Sequence, residues 1–503
     1  KNNITSATQF TYNGPLHNQI ERPRSADDAT GDNVWAQDFN RQYYEALISG
    51  NGVRYQFQRQ DGSAVDVDLT GKSVKSFYAD LSGGAFRLNA DVYGWVKVPH
   101  SVWWYGADPC PGRRSGSTSQ QDDGAIPGAG NEDSLVRDAL DALKRAYPAV
   151  DWLQYDLDHD GIVDHLWIIT AGIDEAHSRT ELNRTDYGEA ALWAHAGSLG
   201  TPYQVYPGIS VNPYLMVPED TGLAVLVHEF AHTLGAIDLY AYEGGDPSVG
   251  FWSTMSDTWT GFPLSAVPSA MDPWHLDYWG WLDPLVISDP TKEYVVTLKQ
   301  ASGAPDATPG HKGVKIQLPD GNMPLPVKPF GARNWWSGNQ TNMVSQMTLA
   351  APIMLPTSPA STLSFSTAYN TERGYDYFRV QVSTDNGATW TTLTNPHTSG
   401  AYGFDGRNPD WPAYTTETFN LTAYAGRQIL LRFRHTTDFS ICRGGVYVDN
   451  IVITAGSTQV FSDNAESGPS RWLYSAPWAL NDGTTTFSHA YYLQWRNVAS
   501  TGG

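Results

Sequence analysis

Residues 228–238 read H-E-F-A-H-T-L-G-A-I-D, with two imidazoles four residues apart and a carboxylate directly after the first. On a helix, positions i and i+4 lie on one face a turn apart, so His228 and His232 can both meet one ion. Imidazole nitrogens hold zinc at about 2.0–2.1 Å. Glu229 sits about 100° round the helix from His228, as 3.6 residues per turn require. It borders the same cleft but cannot easily reach the ion, so it is placed to hold a water that the ion also holds. Gly235 ends the helix, and its freedom at positive φ lets the chain turn back sharply. That turn brings Asp238 towards the imidazoles as the expected third ligand; Glu243 and Asp246 follow as the competing choices. Three protein ligands leave a position open for water, whose pKa zinc lowers to about 7. Glu229 would take that water's proton as general base. A purely structural zinc site fills all four positions and has no use for such a base.

A second constellation is D-L-D-H-D-G-I-V-D, residues 156–164. Asp156, Asp158, Asp160 and Asp164 stand at positions 1, 3, 5 and 9 of a calcium loop, Gly161 at the sharp turn, and the Ile162 carbonyl at position 7. Position 12 is Trp167 instead of the usual bidentate glutamate, so a ligand from elsewhere is expected. Four carboxylates this close would otherwise repel one another. Weaker candidates are Glu372, Asp376 and Asp449 for a further calcium site. His177 and His195 read as hydrogen-bonded structural histidines, and Cys110 and Cys442 as either bridged or free. The aromatics of N-W-W-S-G and W-P-A-Y read as core or as a binding face.

Elements must position these groups. D-F-N-R-Q-Y-Y-E-A-L-I-S-G reads as a helix, with Phe39, Tyr43 and Leu47 recurring every four residues. S-V-K-S-F-Y-A-D-L-S-G-G reads as another, N-capped by Ser73 and stopped by Gly83 and Gly84. N-E-D-S-L-V-R-D-A-L-D-A-L-K-R-A-Y-P is amphipathic and closed by Pro148. In A-F-R-L-N-A-D-V, the alternation of Phe86, Leu88, Ala90 and Val92 predicts a half-buried strand, and H-L-W-I-I-T predicts an apolar one. From about residue 290 helical periodicity gives way to short alternating segments separated by turn clusters, such as E-Y-V-V-T-L-K-Q, Y-F-R-V-Q-V-S-T and V-Y-V-D-N-I-V-I-T. The expected organisation is a mixed α+β domain over 1–290 and a connecting β segment over 291–330. A β-sandwich over 331–456 follows, then 457–503 reads as the opening of a further, truncated β unit.

The chain has 503 residues, a globular aromatic content (19 Trp, 27 Tyr, 17 Phe) and a net charge of −21. That charge excludes a nucleic-acid partner, whose phosphates need a basic surface. With two cysteines there is no local disulfide framework, and no apolar run is long enough to span a membrane. The chain begins at Lys1 without a visible signal peptide and reads as a mature or trimmed product.

The extended motif H-E-x-x-H-x-x-G-x-x-D resembles the zinc signature of metzincin peptidases, in which a methionine turn lies under the metal. Here G-F-W-S-T-M-S supplies Met255. Together with G-P-L-H-N-Q-I-E-R-P, M-D-P-W-H-L-D-Y-W-G-W-L-D-P, V-Y-V-D-N-I-V-I and Y-Y-L-Q-W-R-N, the chain resembles the immune inhibitor A (M6) metallopeptidases over most of its length. The resemblance implies a metzincin-like α+β catalytic domain followed by an all-β, jelly-roll-like sandwich. It also implies a secreted zinc endopeptidase acting on proteins or peptides, monomeric, with one catalytic zinc, structural calcium and Met255 as a hydrophobic floor. In some metzincins a tyrosine stands two residues after the turn methionine; here the residue is Asp257. The competing reading is an extracellular or cell-surface binding protein with a structural or vestigial metal site, and Glu229 discriminates against it.

Overall fold

The computed structural model describes residues 14–25, 34–106, 130–174, 191–240, 249–256, 265–301, 309–438 and 443–496. The chain forms two compact units, Lys1–Leu318 joined by Ala490–Gly503, and Pro319–His489. Among the described residues no helix is long and apolar enough to cross a membrane.

Three helices of the first unit begin at a side-chain cap. Asn40 accepts from the Tyr43 N–H at the start of Arg41–Ile48. Ser73 and Ser76 form a reciprocal capping box on Val74–Leu81. Asn131 caps Glu132–Ala146, whose acidic first turn and basic last turn complement the helix dipole. A three-stranded sheet lies at the centre of the unit. Ile209–Pro218 pairs parallel with Trp167–Thr170 and antiparallel with His195–Tyr206. Alternation sends Leu215 and Val217 to one core and Tyr214 and Met216 to the other. The first core also receives Leu223, Leu226, Val227 and Phe230 from the helix Leu223–Thr233, so the sheet and this helix share one apolar layer.

The helix Leu223–Thr233 starts without a side-chain cap of its own; Gly222 occupies the N-cap. Ser265 takes over: its carbonyl accepts from Ala224 N–H (2.7 Å) and its hydroxyl from Gly222 N–H (3.0 Å). The approach is so close that a Cβ on Gly222 would stand 2.2 Å from the Ser265 carbonyl oxygen.

The second unit is antiparallel. One sheet runs Thr391–Thr392, Tyr377–Ser383, Gln428–Thr436, Val344–Leu349, Trp472–Tyr474; the other runs Thr415–Asn420, Ser361–Asn370, Gly445–Ala455, Asn334–Trp336, Ala479–Asn481. They bury a common aromatic core in which Phe365 stacks on Phe419 and meets Phe433 edge-on.

Three expectations are corrected here. Residues 85–98 form no strand and join no ladder; Leu88 is buried and Phe86, Val92 and Trp95 pack on the first core. E-Y-V-V-T-L-K-Q makes only isolated bridges, at Leu298 and Gln300. The described strands after 456 pair with strands of the two units already given. Thr458–Asp463, Trp472–Tyr474 and Ala479–Asn481 pair within the sheets of the second unit, whereas Ala490–Leu493 pairs with Val314–Gln317 in the first. Alternation identifies a half-buried extended segment but carries no record of its partner.

The contact at Gly222 makes a direct prediction. Gly222→Ala forces Ser265 away from the helix start and should lower unfolding free energy by about 1–3 kcal/mol, the usual cost of overpacking. The shift of the urea midpoint measures it.

Candidate metal centre

The helix Leu223–Thr233 is fixed by its apolar back. Phe230 meets Tyr78 edge-on with ring centroids 5.1 Å apart and packs against Trp167 at 5.1 Å. The Tyr78 hydroxyl donates to the Val227 carbonyl at 2.6 Å. With that face held, His228, Glu229 and His232 face the opposite way yet remain buried, at 3%, 6% and 4% exposure. The helix closes in a Schellman turn. Gly235, at φ 85°, occupies the left-handed position. Its N–H reaches the His232 carbonyl (2.9 Å) and the Ala236 N–H the Ala231 carbonyl (3.0 Å).

This turn fixes a tautomer as well as a direction. The Ala236 carbonyl faces His232 Nδ1 at 3.0 Å, and the Thr254 carbonyl faces His228 Nδ1 at 2.8 Å. A carbonyl only accepts, so both Nδ1 atoms carry protons and both Nε2 atoms present lone pairs. The two Nε2 atoms stand 3.2 Å apart. Asp238 Oδ1 lies 3.1 Å from the first and 3.4 Å from the second. The two neutral imidazoles and the carboxylate therefore direct three lone pairs at one point, an arrangement that a cation or a proton stabilises. The edge of a tetrahedron with ligand bonds of about 2.0–2.1 Å is about 3.3–3.4 Å, so the triangle fits a zinc-type ion. Protons compete for the same place. Burial works against a charged His232, but Asp238 overcomes it and lifts the imidazole to about 9. His228 is likewise raised, burial again being outweighed by Asp238. Burial alone would push the Asp238 carboxyl up, yet the two imidazoles hold it well below the usual carboxylate range. The Tyr240 hydroxyl bonds to Asp238, and its ring lies parallel to that of His228 at 6.5 Å.

Glu229 belongs to the same cluster: ligand atoms of His228, Glu229 and His232 all lie within 4.8 Å of one another. Met255 is fully buried, and its carbonyl accepts from the Leu239 N–H at 2.7 Å. The Met255 segment thus supports the metal loop at Leu239 and orients His228 through Thr254.

A buried relay behind these groups was not anticipated from the sequence. Ser253 Oγ accepts from Met255 N–H (3.0 Å) and donates to Asp272 Oδ2 (2.6 Å). The same carboxylate oxygen accepts from His275 Nδ1 (2.7 Å), and His275 Nε2 accepts from the Ile237 N–H (3.1 Å). Burial favours protonation of Asp272, but His275 and Ser253 outweigh it and hold the carboxyl below its usual range. The available signal was D-P-x-H: an N-cap aspartate, Pro273 in the first turn, and a histidine three residues on that faces the cap.

The remaining candidates divide. Asp156, Asp158 and Asp160 bring carboxylate oxygens within 4.8 Å of one another. Asp156 accepts from the Asp160 and Gly161 N–H groups, and Asp160 from the Ile162 N–H, so the loop is wound round its own acids. The bridge of Ile162 to Ser210 engages Gly161 O and Val163 N, leaving the Ile162 carbonyl outside that ladder. Asp164 Oδ2 accepts from the Leu157 N–H at 3.0 Å. Glu372 and Asp376 do come together, but with Asp438 in place of the expected Asp449. Burial and then Asp438 push the Asp376 carboxyl well up. Asp449, on Gly445–Ala455, is raised to about 6, chiefly by burial. His195 bonds to the Trp193 carbonyl and the Tyr214 hydroxyl. Trp335 is fully buried, and Trp336 and Trp411 pack on Tyr447. Glu243, Asp246, His177, Asp257, Cys110 and Cys442 lie outside the described residues.

The likenesses to known proteins agree with this geometry. Residues 294–476 match the immune inhibitor A-like MAM domain, and residues 5–281 match the catalytic domain of immune inhibitor A peptidase M6. The chain is 26% identical over 502 residues to immune inhibitor A of Bacillus thuringiensis subsp. alesti, covering 92% of this chain and 68% of that protein. It is 28% identical over 465 residues to the pre-pro-metalloprotease PrtV of Vibrio cholerae serotype O1, covering 84% of this chain and 47% of PrtV, so it spans about half the length of that relative. A shorter stretch of 125 residues, 24% of this chain and 8% of the relative, is 30% identical to bacillopeptidase F of Bacillus subtilis. With more than half its length matched by the peptidase domain, the chain belongs to the immune inhibitor A peptidase M6 family, a family of metalloproteases.

Proposed function

We propose that the chain is a secreted zinc endopeptidase that hydrolyses peptide bonds of protein substrates. The observation that carries the reading is the triangle of His228 Nε2, His232 Nε2 and Asp238 Oδ1 with Glu229 in the same cluster. Zinc, when bound, would polarise the scissile carbonyl and lower the pKa of a water to about 7. The two histidines and Asp238 hold the ion, with their tautomers set by the Thr254 and Ala236 carbonyls. Glu229 takes the proton of the attacking water as general base and returns it to the leaving amine. No side chain forms a covalent bond with the substrate. Met255 and the Ser253–Asp272–His275 relay hold the floor and the loop in register. The fold of this half is then metzincin-like. Export is supported by the kinship with immune inhibitor A and by the calcium loop, which suits a compartment rich in that ion. Asp156, Asp158, Asp160 and Asp164, with the Ile162 carbonyl, would hold calcium in a structural role.

Two measurements test the reading. Glu229→Ala should keep its zinc and its fold, and lose about 10²–10⁴-fold in kcat on casein, the usual contribution of a general base. Phenanthroline should abolish cleavage by the wild type and added zinc restore it; equal digestion by both proteins, or indifference to the chelator, refutes the mechanism. For the second metal, millimolar calcium should raise the melting temperature of the wild type, by about 2.7 kcal/mol of stability at a hundredfold excess over Kd. Asp158→Ala with Asp160→Ala should remove that dependence, and an unchanged calcium response refutes the loop's role.

A further inference from the structure

The first unit is completed by residues that follow the second in the chain. Ala490–Leu493 adds to the edge of Val314–Gln317, with Tyr492 opposite Lys315. Alternation then divides the segment. Tyr491, Leu493 and Trp495 stay exposed, at 65%, 48% and 49%. Tyr492 and Arg496 reach inward. The Tyr492 hydroxyl donates to Asp277 Oδ2 at 2.6 Å, on the helix Pro273–Tyr278, where Lys315 Nζ also binds at 2.9 Å.

Arg496 goes further. Its Nη2 donates to the Met271 carbonyl at 2.8 Å, its Nη1 donates to the Trp252 carbonyl, and its Nε is held by Gln494 at 2.9 Å. Met271 immediately precedes Asp272, and Trp252 immediately precedes Ser253. One guanidinium therefore clasps the two backbone segments whose side chains are joined by the 2.6 Å Ser253–Asp272 bond. Each segment leads to a metal-facing group. The Trp252 side continues to the Thr254 carbonyl, which sets His228. The Met271 side continues through His275 to the Ile237 N–H, next to Asp238. A planar fork with several donors holds two carbonyls in fixed relation; an ammonium, a point charge on a flexible stem, fixes them less firmly.

We propose that Arg496 is a positioning residue for the metal centre, keeping the Met255 segment and the Asp238 loop in register across the Ser253–Asp272 bond. Its effect on turnover rests on the peptidase reading, whereas its effect on metal retention does not.

The test uses the full chain as Arg496→Gln and Arg496→Lys, with Tyr491→Ser on the outward face of the same segment as control. Three quantities are read: the rate of zinc loss to a chelator, amide exchange at Ile237, Leu239 and Thr254, and kcat and KM on a peptide substrate. Arg496→Gln should lose zinc about tenfold faster, the low end of the effect of groups that orient metal ligands. It should exchange those three amides faster and lower kcat by a similar factor, with KM little changed. Arg496→Lys should lie between it and the wild type, and Tyr491→Ser should match the wild type. Zinc loss and amide exchange at wild-type rates in Arg496→Gln overturn the proposal, whatever happens to its melting temperature. Should Arg496→Gln fail to fold, Arg496→Lys is judged on the same readouts by the same criterion. A wild type that holds zinc but cleaves nothing overturns the peptidase reading, while zinc loss and exchange still decide the role of Arg496.

Discussion

Two backbone carbonyls decide what this centre can be. Because Ala236 O and Thr254 O each hold an Nδ1 proton, the Nε2 lone pairs of His232 and His228 are committed to a shared point with an aspartate oxygen. Buried at a few per cent exposure, such an arrangement is unfavourable until something positive enters it. Much of the surrounding structure serves that commitment. The glycine turn delivers one carbonyl, the Met255 segment delivers the other, and the Phe230 face prevents the helix from rotating away. Glu229 shares the buried cluster with both histidines.

Local chemistry made much of this legible. The spacing of His228 and His232, the stop at Gly235 and the position of Asp238 are statements about one turn of helix and one turn of chain, and the structure brings these groups together. The cap at Ser73 acts within three residues of itself and was equally readable, and the caps at Asn40 and Asn131 follow the same local rule. The acidic loop brings Asp156, Asp158 and Asp160 together for the same reason.

What was not legible acts at a distance. Nothing near Gly222 announces that Ser265 will supply the missing cap of the helix. Ser253, Asp272 and His275 look ordinary until the fold joins them. Phe86, Leu88 and Val92 alternate as a strand would, yet their inward side chains meet a core while their backbone finds no ladder. Glu372 and Asp376 meet Asp438, whereas Asp449 stands apart on Gly445–Ala455, because carboxylates are sorted by sheet register and not by proximity in sequence. The segments after 456 alternate just as those before do, and only pairing assigns them.

The return of Ala490–Leu493 to Val314–Gln317 has a consequence for biosynthesis. A ribosome makes the histidine helix long before it makes the strand that closes the same unit. At about 5–20 residues per second, the Pro319–His489 stretch delays that closure by on the order of ten seconds or more. Until then one edge of Val314–Gln317 has no neighbour from its own chain, and exposed strand edges invite mispairing. The nascent polypeptide thus carries the clustered histidines and carboxylates early, and gains the strand that pairs with Val314–Gln317 only after the whole Pro319–His489 stretch has been made.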